Sequence, residues 1–234
     1  SQWRYYRRSP SKAHFYAYGD AVLDLVTATN DMLKNGLSEP LIIIADNGSG
    51  EEDFLAMQRI KTYGCPVIVV DHHFIRKDVI SDIVDVNISP YFAGGDSRLC
   101  SGMLGVELAH IINPQVEGIN FLAALSGFGD KVKPEEMKTY LELAEKEGYS
   151  EEYLRKLAAC IDFEAHYLRF VEGRGVVDDL LGADKEIQEK YVAIIYEEVK
   201  KRYASVLHTA QHYIKTEQHG KKLIAILELD QISV

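Results

Sequence analysis

The chain has 234 residues, 47% of them hydrophobic and 26% charged, enough for one large domain or for one domain and part of a second. These proportions exclude bulk disorder. The formal net charge of −10 excludes coating of nucleic acid by a generally basic surface, so phosphates would have to be met by a local basic patch or by bound cations.

In chain order, residues 20–34 have the spacing of an amphipathic helix, with Val22, Leu25, Val26, Met32 and Leu33 near a 3.6-residue period and Asn35-Gly36 ending it. LIIIAD over 41–46 is an apolar run closed by a carboxylate. A second helix is predicted over 53–63, broken by Gly64-Cys65-Pro66, and VIVVD over 67–71 repeats the strand-then-Asp pattern. DIVDV over 82–86 is a third, weaker run. Apolar strands alternating with helices predict an α/β fold, a mainly parallel sheet covered on both faces, whose ligands gather at the carboxyl ends of the strands. Asp46 and Asp71 stand there, although either alone would also suit the start of a turn.

The second half reads as mostly helical. Apolar segments over 101–112 and 117–126 are expected to pack against the sheet. Pro134 suits a first helical position, with Glu135 and Glu136 in the first turn and Gly148 after the end. Ser150 is a candidate N-cap for a helix to about Phe170, Gly173-Arg174-Gly175 interrupts, and a long helix follows over about 184–213. KKLIAILELD over 221–230 reads as a strand after the turn at His219-Gly220.

Cys65, Cys100 and Cys160 are odd in number, widely spaced and without a CxxC pair, which reads as buried free thiols in a reducing compartment. No apolar run reaches the roughly 18 residues of a membrane span. The opening residues, with Trp3, Tyr5 and Tyr6 among Arg4, Arg7 and Arg8, lack the apolar stretch of a secretory signal. The expectation is a cytoplasmic protein with no membrane association.

Three segments carry chemistry. Asp71-His72-His73 directly follows a buried strand, where two adjacent imidazoles are hard to explain as packing. Imidazole and carboxylate are ligands suited to manganese, zinc or iron, with a chance turn as the plain alternative. Asp46-Asn47-Gly48-Ser49-Gly50 sets a carboxylate before a flexible loop that suits a metal and close approach of a phosphate, or simply a turn. Gly127-Phe128-Gly129-Asp130-Lys131 ends an apolar segment in a Gly-flanked carboxylate, which a helix C-cap would also explain.

In this order, IIIADNGSG, VIVVDHH, SGMLGVELAH and LSGFGDK resemble the DHH phosphoesterases, most closely the archaeal RecJ-like single-strand nucleases, over roughly residues 38–135. The resemblance implies a DHH domain over 1–183, a connector helix over 184–216, and the start of a second, substrate-binding domain over 217–234. It implies that Asp46 bridges two divalent cations, usually manganese with magnesium as a substitute, that His72 ligates one, and that Asp130 completes the bridging set. His73 would lie beside the scissile phosphate as ligand support or charge stabiliser, and Asp71 would hold a histidine in its tautomer. Two nearby cations activate water and neutralise phosphoryl oxygens, which implies a manganese-dependent phosphoesterase or exonuclease acting on single-stranded DNA, RNA or a small nucleotide.

The family's first motif, with an Asp-x-Asp on an earlier strand, has no counterpart before Asp46. HFYAYGD over 14–20 echoes it through His14 and Asp20, with Tyr18 where the first Asp would stand. Either the strand that carries it lies outside this sequence, or residues are missing near 8–14, or the motif has been lost. The last possibility keeps open a catalytically silent scaffold in a replication or repair assembly with a protein partner.

The segment from Gly94 to Gly102 adds candidate substrate contacts: Ser101 and Gly102 at a helix start, where N–H groups meet a phosphate, and Arg98 as a bidentate clamp, against the plainer reading of a surface loop. His208 and His212 are spaced i, i+4 with no third ligand and read as a solvated helix face, and His110 and His166 read as structural.

Overall fold

A computed structural model describes residues 7–8, 14–15, 22–36, 40–167, 180–181 and 184–227. The Tyr18 and Asp20 echo, the Gly173–Gly175 interruption and the last residues of the 221–230 strand lie outside them. The chain divides into two compact units, residues 1–154 and 155–234.

In the first unit, Arg7–Arg8 (β1) pairs antiparallel with His14–Phe15 (β2). Helix α1 (Val22–Lys34) packs against α2 (Phe54–Lys61), which a single 3-10 turn over Glu51–Asp53 precedes. Between them in sequence lies β3 (Ile42–Ala45), paired in parallel with β4 (Val67–Val70), which pairs in parallel with β5 (Val86–Ile88). The shared α/β architecture, a parallel sheet with helices, is therefore the one the sequence predicts.

The core forms where apolar side chains of the sheet meet α2: Ile42 and Ile44 from β3, Val67 and Val69 from β4, Met57 and Ile60 from α2. The strands are not covered equally. Ile43 and Ala45 alternate outward on β3, so among the described residues its second face is open, unlike the two-sided burial predicted. A second difference is the third strand, which starts at Val86 and leaves most of 82–86 in a turn. Ile80 and Val84 are buried there, Ile83 and Val84 donate back to the Ile80 carbonyl, and Asp85 accepts from Val67 N and Lys61 Nζ, both at 2.7 Å. These apolar residues fill the core from a turn and never enter the ladder.

Beyond the sheet, α3 (Ser101–Ile112) packs on α4 (Asn120–Gly129) and touches β3 and β4, and α4 packs on α5 (Pro134–Lys146), which begins with Pro134 at its first position as expected. Glu147 caps α4, accepting from Phe121 N at 2.9 Å and from Asn120 Nδ2 at 2.6 Å. At Gly102 α3 lies against α4 so closely that a methyl group there would overlap the Ser126 side chain. Gly102→Ala is therefore expected to destabilise the domain. Overpacking costs about 1–3 kcal/mol, more than the up to about 1 kcal/mol that alanine regains as a helix former. Adding Ser126→Gly should recover part of the loss in urea denaturation, and a neutral Gly102→Ala would mean that the helices stand further apart.

Helix α6 (Glu151–Tyr167) crosses the division, with Ser150 Oγ accepting from Tyr153 N at 3.2 Å as the predicted cap. In the second unit, α7 (Lys185–Tyr213) starts at the Asp184 cap, and its buried Gln188 donates to the Leu180 carbonyl at 2.6 Å. The helix ends at Tyr213, three residues short of the predicted connector. Ile214–His219 (β6) instead pairs with Lys222–Leu227 (β7) in an antiparallel hairpin that is exposed along its whole length. No helix among the described residues is long and apolar enough to cross a membrane.

Candidate metal centre

The centre is built where β3 and β4 end side by side. The ladder runs one residue past each strand: Asp46 N donates to the Val70 carbonyl at 2.9 Å and Asp71 N to the Ile88 carbonyl at 3.0 Å. The chain then turns sharply. Asp46 takes a left-handed φ of 63°, which Asp tolerates better than most residues, and its carboxylate is exposed.

Asp71, in contrast, is buried, 1% exposed, and saturated with donors. Its Oδ2 accepts from Ser49 N at 3.1 Å and from the Ser49 hydroxyl, and its Oδ1 accepts from His73 Nδ1 at 2.7 Å and His73 N at 3.3 Å. Burial pushes the Asp71 carboxyl up, but these hydrogen bonds outweigh it and hold the group below the ordinary carboxylate range. The Asp71 hydrogen bond raises the His73 imidazole above its usual value. Burial opposes this, and the charges of Asp71, Asp46 and Asp130 add to it.

The two histidines are oriented by different acceptors. His72 Nδ1 donates to the Ser97 carbonyl at 3.0 Å and His73 Nδ1 to Asp71. Neither acceptor can donate, so each neutral ring carries its proton on Nδ1 and presents a bare Nε2. His72 Nε2 faces Asp46 Oδ1 at 3.3 Å and Asp130 Oδ2 at 3.7 Å. A bare nitrogen facing two carboxylate oxygens is a donor set that a cation among them would satisfy. One ligand atom each from Asp46, His72 and His73 lies within 4.8 Å of the others. Two imidazoles of fixed tautomer with adjacent carboxylates fit a divalent cation of the manganese, iron or zinc type.

Asp130 reaches the centre from the end of α4, where its N–H donates to the Ser126 carbonyl at 3.0 Å. Asp46, His72 and Asp130, singled out separately in the sequence, thus come together. The other candidates lie to one side. Arg98 is exposed and committed to carboxylates, its Nε to Asp96 Oδ1 at 2.7 Å and its Nη1 to Glu136 Oε1 at 2.9 Å. Its position braces the loop that holds the Ser97 carbonyl against His72. Ser101 is buried at the start of α3, its hydroxyl without a hydrogen-bond partner among the described residues, and Gly102 faces Ser126. Cys100, just before Ser101, lies with its Sγ 3.1 Å from Ser126 Oγ, and the Ser126 carbonyl accepts from Asp130 N, which links this helix start to the residue that reaches the centre. His110 Nε2 lies 3.0 Å from Asn120 Oδ1, a structural pairing, and His212 Nδ1 donates to the His208 carbonyl at 2.7 Å on its own exposed helix.

Ser49 and Ser97 escaped the sequence reading in these roles. Both lie in loops singled out for other reasons, but the contacts span 22 and 25 residues, and no local pattern connects their ends.

A cleft of about 690 Å³ opens beside the centre, between the loop over residues 46–53 and the loop over residues 73–77.

No protein-family model matches the chain. It is 42% identical to an uncharacterized protein of Methanocaldococcus jannaschii over 236 residues, an alignment covering 92% of this chain and 31% of that protein. Its fold matches a solved DHH domain, from a member of the s1p family of ribosomal proteins, with a TM-score of 0.80 and 34% identity over 91% of this chain. The chain has the fold of a DHH domain. The domain accounts for the Asp71-His72-His73 triplet at the sheet edge, and the DHH family is in general one of metal-using phosphoesterases. The chain covers 51% of the solved relative and 31% of the Methanocaldococcus jannaschii protein, so it spans about half the length of the one and under a third of the other.

Proposed function

We propose that this DHH domain carries out metal-dependent hydrolysis of a phosphodiester in single-stranded nucleic acid or a small nucleotide, with manganese as the metal and magnesium as a weaker substitute. The observation that carries the reading is the convergence of Asp46 and Asp130 on the bare Nε2 of His72. A pair of divalent cations at such a centre supplies an activated water and neutralises phosphoryl oxygens.

The chain's own residues divide the remaining work. Asp46, His72 and Asp130 hold the metal. Asp71 fixes the His73 tautomer, and His73, exposed at the mouth of the cleft, meets the charge that develops on the phosphate. Ser101 and Gly102 offer the first N–H groups of α3 to a substrate phosphate, with Arg98 on the loop before them. A cytoplasmic setting agrees with three buried free thiols.

Calorimetric titration of the full-length protein with manganese tests the assignment. Asp46→Ala should weaken binding by about 10–100-fold or more, since even outer-shell losses cost that much. Equal affinity in the two proteins would place any metal elsewhere and leave the catalytically silent scaffold as the better reading.

A further inference from the structure

Phe74 directly follows the two histidines, yet 73% of it is exposed. It lines the cleft beside the centre, together with Arg76 and Lys77. Its only ring contact among the described residues is with Tyr91, edge to face at a centroid separation of 5.7 Å and an interplanar angle of 80°. Tyr91 is itself well anchored. It sits in a short 3-10 turn over Pro90–Ala93, begun by Pro90 and capped by Ser89 Oγ, which accepts from Tyr91 N at 3.4 Å, immediately beyond β5. One side of Phe74 is therefore braced by a residue fixed to the sheet edge, and most of the ring is open to the cleft.

The two sides of the cleft differ in charge. The loop over residues 46–53 contributes Glu51 and Glu52, which repel a polyanion, while the opposite loop contributes the basic side chains of Arg76 and Lys77. A phosphate chain leaving the metal centre is thus steered along the Phe74 side. An aromatic face set beside cations is the pattern that binds single-stranded nucleic acid, in which bases stack while the backbone follows positive charge.

We propose that Phe74, braced by Tyr91, is a base-stacking residue that selects nucleobase-bearing substrates over base-free phosphates such as pyrophosphate or polyphosphate. Arg76 and Lys77 hold the neighbouring phosphate. The inference rests on the proposed phosphodiesterase reading for the position of the scissile phosphate, but its test has an independent arm.

The probes are a short oligothymidylate and an abasic oligomer of equal length, each in a cleavable form and a hydrolysis-resistant phosphorothioate form. Hydrolysis in manganese and binding by fluorescence anisotropy are measured for the full-length wild-type protein, Phe74→Ala, Phe74→Trp and the Arg76→Ala/Lys77→Ala double variant. Phe74→Ala should raise the KM and Kd for the thymidylate about tenfold and leave the abasic oligomer unchanged, and Phe74→Trp should restore the difference. The double variant should weaken both oligomers alike and flatten the salt dependence. Equal effects of Phe74→Ala on both oligomers, or a wild type indifferent to bases, would overturn the stacking role. Base-dependent binding without any hydrolysis would keep the stacking role and sink the phosphodiesterase reading. Equal hydrolysis of both oligomers would do the reverse.

Discussion

Asp71→Asn should lower turnover of the full-length protein by on the order of 10³–10⁴-fold and destabilise the domain by about 2–4 kcal/mol. The reason is a count of donors. One oxygen of Asp71 accepts two N–H groups of His73, and the other accepts the N–H and hydroxyl of Ser49. An amide offers one oxygen and one NH₂. If the NH₂ faces Ser49, it meets a backbone N–H that cannot become an acceptor. If it faces His73, it meets the His73 N–H groups, and the ring loses the carboxylate that supports its positive charge opposite the phosphate. Either way a buried donor is orphaned, and in the second case the chemistry is lost as well. Hydrolysis rates and denaturant unfolding check the two halves separately. A variant with near-native turnover would mean that the support of the His73 charge does not matter, and the catalytic role given to Asp71 would fall.

The second large effect separates the two histidines. His73→Ala is expected to cost on the order of 100- to 1,000-fold in turnover by removing the imidazolium, supported by Asp71, that meets the charge developing on the phosphate. His72→Ala should cost at least as much, but through metal occupancy, because His72 Nε2 is the nitrogen on which Asp46 and Asp130 converge. Excess manganese should then partly rescue His72→Ala and leave His73→Ala where it is. The assay is single-turnover hydrolysis of a 5′-labelled oligonucleotide across a manganese titration. The ligand atoms of Asp46, His72 and His73 lie close enough together for His73 to share a cation, so rescue of both variants would move His73 into the ligand set. Native rates in both would make the triplet structural and favour the scaffold reading.

The sequence by itself determined the elements and the family of the site. Apolar runs ending in Asp46 and Asp71 read as parallel strands because burial on a sheet demands continuous β-branched residues, and the polar residue that ends such a run stands at the strand tip. Pro134 and Ser150 mark helix starts because each satisfies or omits an N–H that the helix cannot pair. The ordered Asp, DHH and Gly-Asp segments pointed to the DHH family by resemblance, and the fold brings Asp46, His72 and Asp130 together. Local periodicity misplaced the third strand, since Ile80 and Val84 are buried from a turn and a run of apolar residues does not say which backbone carries it. The reading of a long helix over 184–213 matches the observed end at Tyr213, whereas the connector bound of 216 that the resemblance implied runs into a strand whose partner comes later in the chain.

Only the tertiary structure decided which atom of each site residue does what. The bare nitrogens of His72 and His73 follow from the Ser97 carbonyl and from Asp71. Arg98, a candidate phosphate clamp in the sequence, is engaged by Asp96 and by Glu136 from another helix. A residue type fixes what a side chain is able to donate or accept. Which of these options it uses is set by the partner that packing places near 3 Å, whether two residues away, as Asp71 is from His73, or tens of residues away, as Ser97 is from His72 and Glu136 from Arg98.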